Sequence, residues 1–161
     1  MQDATLVFLL KENQILLGYK KQRFGAGKWN GFGGKIEDGE SIASAAAREL
    51  REESSVIVAP DDLILVARIE FFFPAKPEWD QIVHAFIARH WIGEPTESDE
   101  MRPQWFDTNA IPYATMWADD QHWLPRVLRG ARVNAKFTFG ADNETITDAE
   151  IQERSNLGEV E

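Results

Sequence analysis

The sequence predicts an α/β fold in which a mixed β-sheet is sandwiched between helices. Three observations carry that expectation. Apolar runs of strand length recur along most of the chain, two segments carry a helical pattern with strands between them, and 161 residues with 43% hydrophobic content fill one core but not two ordinary ones. One domain is therefore expected over residues 1–148, followed by a polar C-terminal tail, 149–161, that frays.

Thr5 to Leu10 reads as a buried strand and Gln14 to Lys20 as a second, joined through Lys11, Glu12 and Asn13. A glycine-rich loop follows, then a short extended piece around Lys35 and Ile36 and a turn at Glu37-Asp38-Gly39. Ser41 to Ser54 is the first helix, with Ile42, Ala45, Ala46 and Leu50 offering an apolar face. Leu63 to Phe73 and Gln81 to Trp91 are strand-like, and Pro74 to Pro77 breaks between them. Arg102 to Phe106 is a short strand after an acidic loop. Trp117 to Leu128 reads as a second helix with Asp119 or Asp120 near its N-terminus. Val133 to Phe139 and Thr145 to Thr147 form a late hairpin around Gly140 to Asn143.

The stretch from Gly34 to Val56, GKIEDGESIASAAARELREESSV, carries most of the chemistry. On a helix Glu49 and Glu53 stand i,i+4, with Glu52 on nearly the same face. Unneutralised like charges at that spacing repel by roughly 0.2–0.5 kcal/mol. A turn that gathers all three points to a cation, and oxygen-only ligands select a hard divalent ion, Mg²⁺ or Mn²⁺. The alternative is a solvated acidic face with local ion pairs, such as Arg48 to Glu52.

Residues Gly25 to Gly34, GAGKWNGFGG, interleave five glycines with Trp29 and Phe32. Glycine lets backbone approach a ligand closely, and the aromatic rings fit an ordered loop better than a flexible linker. Such a loop aims carbonyls at a metal and N–H groups at phosphate oxygens. Gly33, Gly34, Phe32 and Lys35 are candidates on that path, and Lys28 adds positive charge.

The pattern Gly34-x5-Glu40-x7-Arg48-Glu49-Leu50-x-Glu52-Glu53-x-Ser55-Val56 resembles the signature of the Nudix hydrolases, which cleave a nucleoside diphosphate linked to another moiety with a divalent metal. The family has glycine where this chain has Ser55; that glycine normally closes the helix in a left-handed conformation, so serine costs stability or shifts the cap. The resemblance extends to GYKKQRFGAGKWNGFGG (18–34), ESDEMRPQWF (97–106) and IPYATMWADDQHWLP (111–125), which are similar to the MutT-related oxidised purine nucleoside triphosphatases. It implies the Nudix fold, hydrolysis of 8-oxo-dGTP and 2-hydroxy-dATP type nucleotides to monophosphate and pyrophosphate, and sanitation of the nucleotide pool.

By position, the resemblance assigns metal binding to Glu49, Glu52, Glu53, Glu100 and the Gly33 carbonyl. Glu53 or Glu52 then helps the attacking water, and Arg48 orients the carboxylates. Thr5, Lys20, Phe24, Asn30, Phe71, Trp117, Ala118, Asp119 and Asp120 line the nucleotide site, with Trp117 stacking on the purine. Two carboxylates sharing a pocket leave one neutral donor and one ionised acceptor, a pair able to meet a guanine-like or an adenine-like edge. The bland alternatives are a helix cap for Asp119 and Asp120, a turn former for Asn30, an exposed strand end for Lys20 and a mere acidic loop for Glu100. The segment from Phe71 to Ile82 differs from the family and is about one residue longer.

Seventeen basic against 27 acidic residues give a net charge of −10, which argues against wrapping a nucleic-acid polymer and favours a single small-molecule nucleotide. The absence of cysteine excludes disulfides and thiolate metal sites and fits the cytoplasm. Leu6 to Leu10 is too short for a signal segment or a membrane span, so no membrane partner is expected; the chain is also expected to act as a monomer. Competing readings are a Nudix enzyme for canonical dNTPs, dinucleoside polyphosphates or ADP-ribose, and a non-catalytic nucleotide-binding module.

Overall fold

Alternation along β1 (Gln2–Lys11) sets the layers of the computed structural model, which describes residues 1–157. Val7 and Leu9 pack with Ala46 and Leu50 of α1 (Ile42–Ser54); Phe8 and Leu10 pack with Trp123, Leu124 and Val127 of α2 (Asp120–Leu128). One strand thus feeds two cores, one on each face, and each large apolar side chain so buried contributes about 1.5–3 kcal/mol. The expected sandwich of a mixed sheet between helices is what forms.

The remaining strands are β2 (Gln14–Lys20), β3 (Trp29–Asn30), β4 (Ile64–Phe72), β5 (Gln81–Ala88), β6 (Met101–Asp107), β7 (Arg132–Phe139) and β8 (Ile146–Arg154). Their order is β3-β2-β1-β5-β4-β7-β8, with β6 on β2. The β1–β5 and β4–β7 pairs are parallel and the others antiparallel. β1 pairs with β2 only from Leu9↔Leu16 to Lys11↔Gln14, and the strands then part. The segment from Trp29 to Lys35 enters that fork. It pairs with β2 through Trp29 and Asn30, and bridges β1 at Val7↔Phe32 and Ala4↔Lys35.

Helix α1 begins where expected, because the Ser41 side chain accepts from the Ser44 N–H at 3.1 Å. β1 begins at Gln2 rather than Thr5, and three further boundaries differ by three residues or more. β5 ends at Ala88 rather than Trp91, and Ile92 instead forms an isolated bridge with Ile57. α2 starts at Asp120 rather than Trp117, after a 3₁₀ turn at Tyr113–Thr115. The polar end does not fray from residue 149. β8 runs to Arg154, paired with β7 from Arg132↔Arg154 onward, and Ile146 and Ile151 pack on the core. An edge strand with one solvated face takes polar residues without losing its ladder, so composition alone misled. The part of the expected tail at 158–161 lies outside the described residues. No described helix is long and apolar enough to cross a membrane.

Candidate active site

The fork between β1 and β2 brings the glycine segment against α1. Val7 and Phe32 exchange both backbone hydrogen bonds, at 2.6 and 2.9 Å, and the Thr5 N–H donates to the Gly34 carbonyl at 2.8 Å. Strand alternation then turns Gly33 away from β1, where its N–H donates to Glu53 Oε1 at 3.0 Å. The same alternation turns its carbonyl to that side. Glycine is required here for space. A Cβ on Gly33 would collide with the Thr5 carbonyl, whereas one on Gly34 would meet the movable end of the Glu49 side chain.

Arg48 organises the carboxylates around it. Its Nε donates to Glu40 Oε2 at 2.6 Å, Nη1 to Glu49 Oε2 and Glu52 Oε1 at 3.2 Å each, and Nη2 to the Lys35 carbonyl at 3.1 Å. The bond to Arg48 holds the Glu40 pKa down, and the Glu40 contact raises that of Arg48. Glu53 is buried, and burial pushes its carboxyl up to about 8, with the charges of Glu49 and Glu100 adding to the effect of burial. Burial raises Glu49 as well. Lys20 Nζ lies 3.2 Å from Glu100 Oε2 and ties that loop carboxylate to the wall.

Among the described residues no three acidic or histidine side chains already converge into a cation cage. The donor set nevertheless fits a hard divalent ion. Glu49 and Glu53 are desolvated oxygen donors whose charged forms lack sufficient compensation, and a divalent cation held by them would relieve that cost.

These carboxylates line a cavity of about 740 Å³ that reaches to the N-terminus of α2. Thr5, Lys20, Phe24, Asn30, Gly33, Gly34, Lys35, Phe71, Trp117, Asp119 and Asp120 line it too. Two candidates do not. Phe32 is fully buried under α1, because its register with Val7 puts the ring into the core; Ala118 packs against the opposite core. Asn30 Oδ1 accepts from the Gly31 N–H at 2.9 Å, so part of its capacity goes to its own turn.

Asp119 occupies the N-cap position of α2 but makes no capping bond. Its Oδ2 accepts from Trp123 Nε1 at 2.8 Å instead, inside the protein. Asp119 and Asp120 are both 2% exposed, and Asp120 Oδ2 meets no hydrogen-bond partner within bonding geometry among the described residues. Burial raises both pKa values, and the Asp119 charge raises Asp120 further, so the pair retains a proton where free carboxyls have lost theirs. Both carboxylates stand at the positive end of α2, as the helix-cap alternative has it, but the capping hydrogen bond itself is not made.

Sequence reasoning missed Phe73, Trp79 and Phe139, which also line the cavity. Phe73 and Phe139 stack at 4.8 Å and 4°, and Trp117 meets Phe139 edge-on at 5.8 Å. The run of aromatics from Phe71 to Trp79 was the available signal. His84, read as structural, is buried with Nε2 2.9 Å from Asp3 Oδ1.

The NUDIX domain model matches residues 1–127, and the chain belongs to the Nudix family. It is a Nudix hydrolase. Over 149 residues it is 48% identical to the mouse oxidized purine nucleoside triphosphate hydrolase, covering 92% of this chain and 93% of the relative. The zebrafish protein of the same name is 47% identical over 153 residues, covering 95% and 96%. A crystal structure of a MutT protein from Bacillus halodurans superposes with a TM-score of 0.81 at 26% identity, covering 94% of this chain and 97% of that one. Nudix hydrolases use divalent metal ions and act on small-molecule nucleotides.

Proposed function

We propose that the chain hydrolyses oxidised or otherwise modified purine nucleoside triphosphates, of the 8-oxo-dGTP and 2-hydroxy-dATP type, to monophosphate and pyrophosphate, and so sanitises the nucleotide pool. The observation that carries this reading is the buried Asp119–Asp120 pair beside Trp117, in the same cavity as Glu49, Glu52 and Glu53. A pair holding one proton donates to one purine edge and accepts from another, which suits two differently oxidised bases. The mouse and zebrafish proteins are named for this substrate class, and identity near one half across almost the whole chain supports extending it here.

Glu49, Glu52, Glu53, Glu100 and the Gly33 carbonyl would hold Mg²⁺, with Mn²⁺ as a substitute. Such an ion supplies charge neutralisation on the triphosphate and lowers the pKa of the attacking water. Glu53, with Glu52 as second candidate, takes the proton from that water. Arg48 keeps Glu49 and Glu52 aimed at the cavity, and Trp117 stacks on the base. The reading includes action as a cytoplasmic monomer, with one Nudix domain carried through β8.

Product analysis tests it. With Mg²⁺ and 8-oxo-dGTP, the protein should yield monophosphate and pyrophosphate, and a chelator should stop the reaction. Release of inorganic phosphate and the nucleoside diphosphate instead would refute the proposed cleavage.

A further inference from the structure

We propose that Trp79 is a positioning residue that locks the loop between β2 and β3, residues 21–28, against Trp117 and so preforms the base wall of the cavity. The inference rests on the nucleotide reading above. Trp79 stands on a 3₁₀ turn, Pro77–Trp79, between β4 and β5. That turn is tied along its length. The Phe73 N–H donates to Asp80 Oδ1 at 2.7 Å, the Lys76 N–H to the Phe73 carbonyl at 2.8 Å, and the Trp79 N–H to the Lys76 carbonyl at 2.9 Å. Pro74 and Pro77 fix two more torsions.

From this support the indole meets Phe73 edge-on at 5.5 Å and Phe24 edge-on at 4.8 Å. Lys76 Nζ lies over the indole, 4.6 Å from its centroid. Phe24 in turn stacks on Trp117 at 5.1 Å and 23°. The loop that carries Phe24 is held at its ends, through Lys21 to the Ser98 carbonyl at 2.7 Å and Lys28 to Glu144 at 2.8 Å, and Trp79 supports the stretch between them. Arg23, Gly25 and Gly27 all have positive φ, and Phe24 is 39% exposed. Among the aromatic rings of the described residues, the other one near it is Phe73, more distant at 6.3 Å. Trp79 therefore bridges the tied turn to the glycine-flanked ring of Phe24, and a wall ordered before binding lowers the cost of ordering it with the nucleotide.

Hydrogen exchange and kinetics test this together. Trp79→Ala should accelerate exchange several-fold at the amides of Ala26, Gly27 and Lys28, which now donate to Arg23, Lys20 and Gly25. Trp79→Phe should restore protection. Trp79→Ala should also raise KM for 8-oxo-dGTP roughly three- to tenfold, the worth of an aromatic pair, with kcat within about twofold. On a Phe24→Ala background the same change should add less than about twofold, because its effect passes through Phe24. Unchanged exchange in Trp79→Ala, or an equal KM loss on the Phe24→Ala background, overturns the proposal. A wild-type protein inert toward 8-oxo-dGTP refutes the substrate reading instead, while the exchange measurement, which needs no nucleotide, still decides for or against Trp79.

Discussion

Glu53 concentrates the site's electrostatic cost. Its folded pKa, about 8, lies above the ordinary value of 4.5, so the folded state binds the proton more tightly. The stability this contributes is complete below pH 4.5 and is lost as pH rises through 8. In metal-free protein, Glu53→Gln should flatten that fall and raise the melting temperature at pH 8, with the gap closing near pH 5; an unchanged slope would place the burden elsewhere. The same substitution should lower kcat by about 10²–10⁴-fold, the usual worth of a general base, while nucleotide binding stays measurable by titration calorimetry. Ser55 poses a separate residue-scale question. It closes α1 at φ 69, with its N–H on the Arg51 carbonyl at 2.8 Å and its Oγ accepting from Thr96 Oγ1 at 2.9 Å. The cap has not shifted, and serine bears the left-handed strain of about 1–2 kcal/mol. Ser55→Gly should stabilise by about 0.5–1 kcal/mol in urea titration. Ser55→Ala, which keeps the strain and loses the hydrogen bond, should destabilise by about 0.5–1 kcal/mol.

The elements differ in how far the sequence revealed them, and the reasons are physical. Helix α1 was legible because Ser41 caps it and Ile42, Ala45, Ala46 and Leu50 repeat at helical spacing. β2 was legible as a short apolar run with turns on both sides. The glutamate cluster was legible because helical spacing alone places Glu49, Glu52 and Glu53 together. Phe32 was misread because an aromatic among glycines looks like a loop anchor, and only its register with Val7 sends it into the core. Trp79 was invisible as a wall because a one-residue difference in length obscures which side chain faces the cavity. β8 was hidden by its polar face, yet it covers the edge of β7. Ending the chain at Thr145 should therefore cost about 2 kcal/mol or more, from the lost burial of Ile146 and Ile151, and show as a lower urea midpoint. An unchanged midpoint would return the C-terminal segment to the role of a tail.

At the scale of the molecule, two helices on opposite faces of one sheet contribute to one cavity: α1 brings the glutamates and α2 begins at the buried aspartates. On the proposed function the division separates chemistry from base choice, so substitutions at the two places should separate in kinetics. Asp119→Asn, which fixes one member of the pair in a neutral form, should shift the ratio of 8-oxo-dGTP to 2-hydroxy-dATP turnover by about tenfold, within the range by which unpaired polar groups discriminate substrates. Glu53→Gln should slow both nucleotides equally. The most direct measurement of the central claim is kcat/KM with Mg²⁺ for 8-oxo-dGTP, 2-hydroxy-dATP, dGTP and ADP-ribose in one pyrophosphohydrolase assay. A preference of about tenfold or more for the two oxidised purines over dGTP, with ADP-ribose poorest, is the predicted result. Preference for ADP-ribose, or equal rates on dGTP and 8-oxo-dGTP, would contradict it.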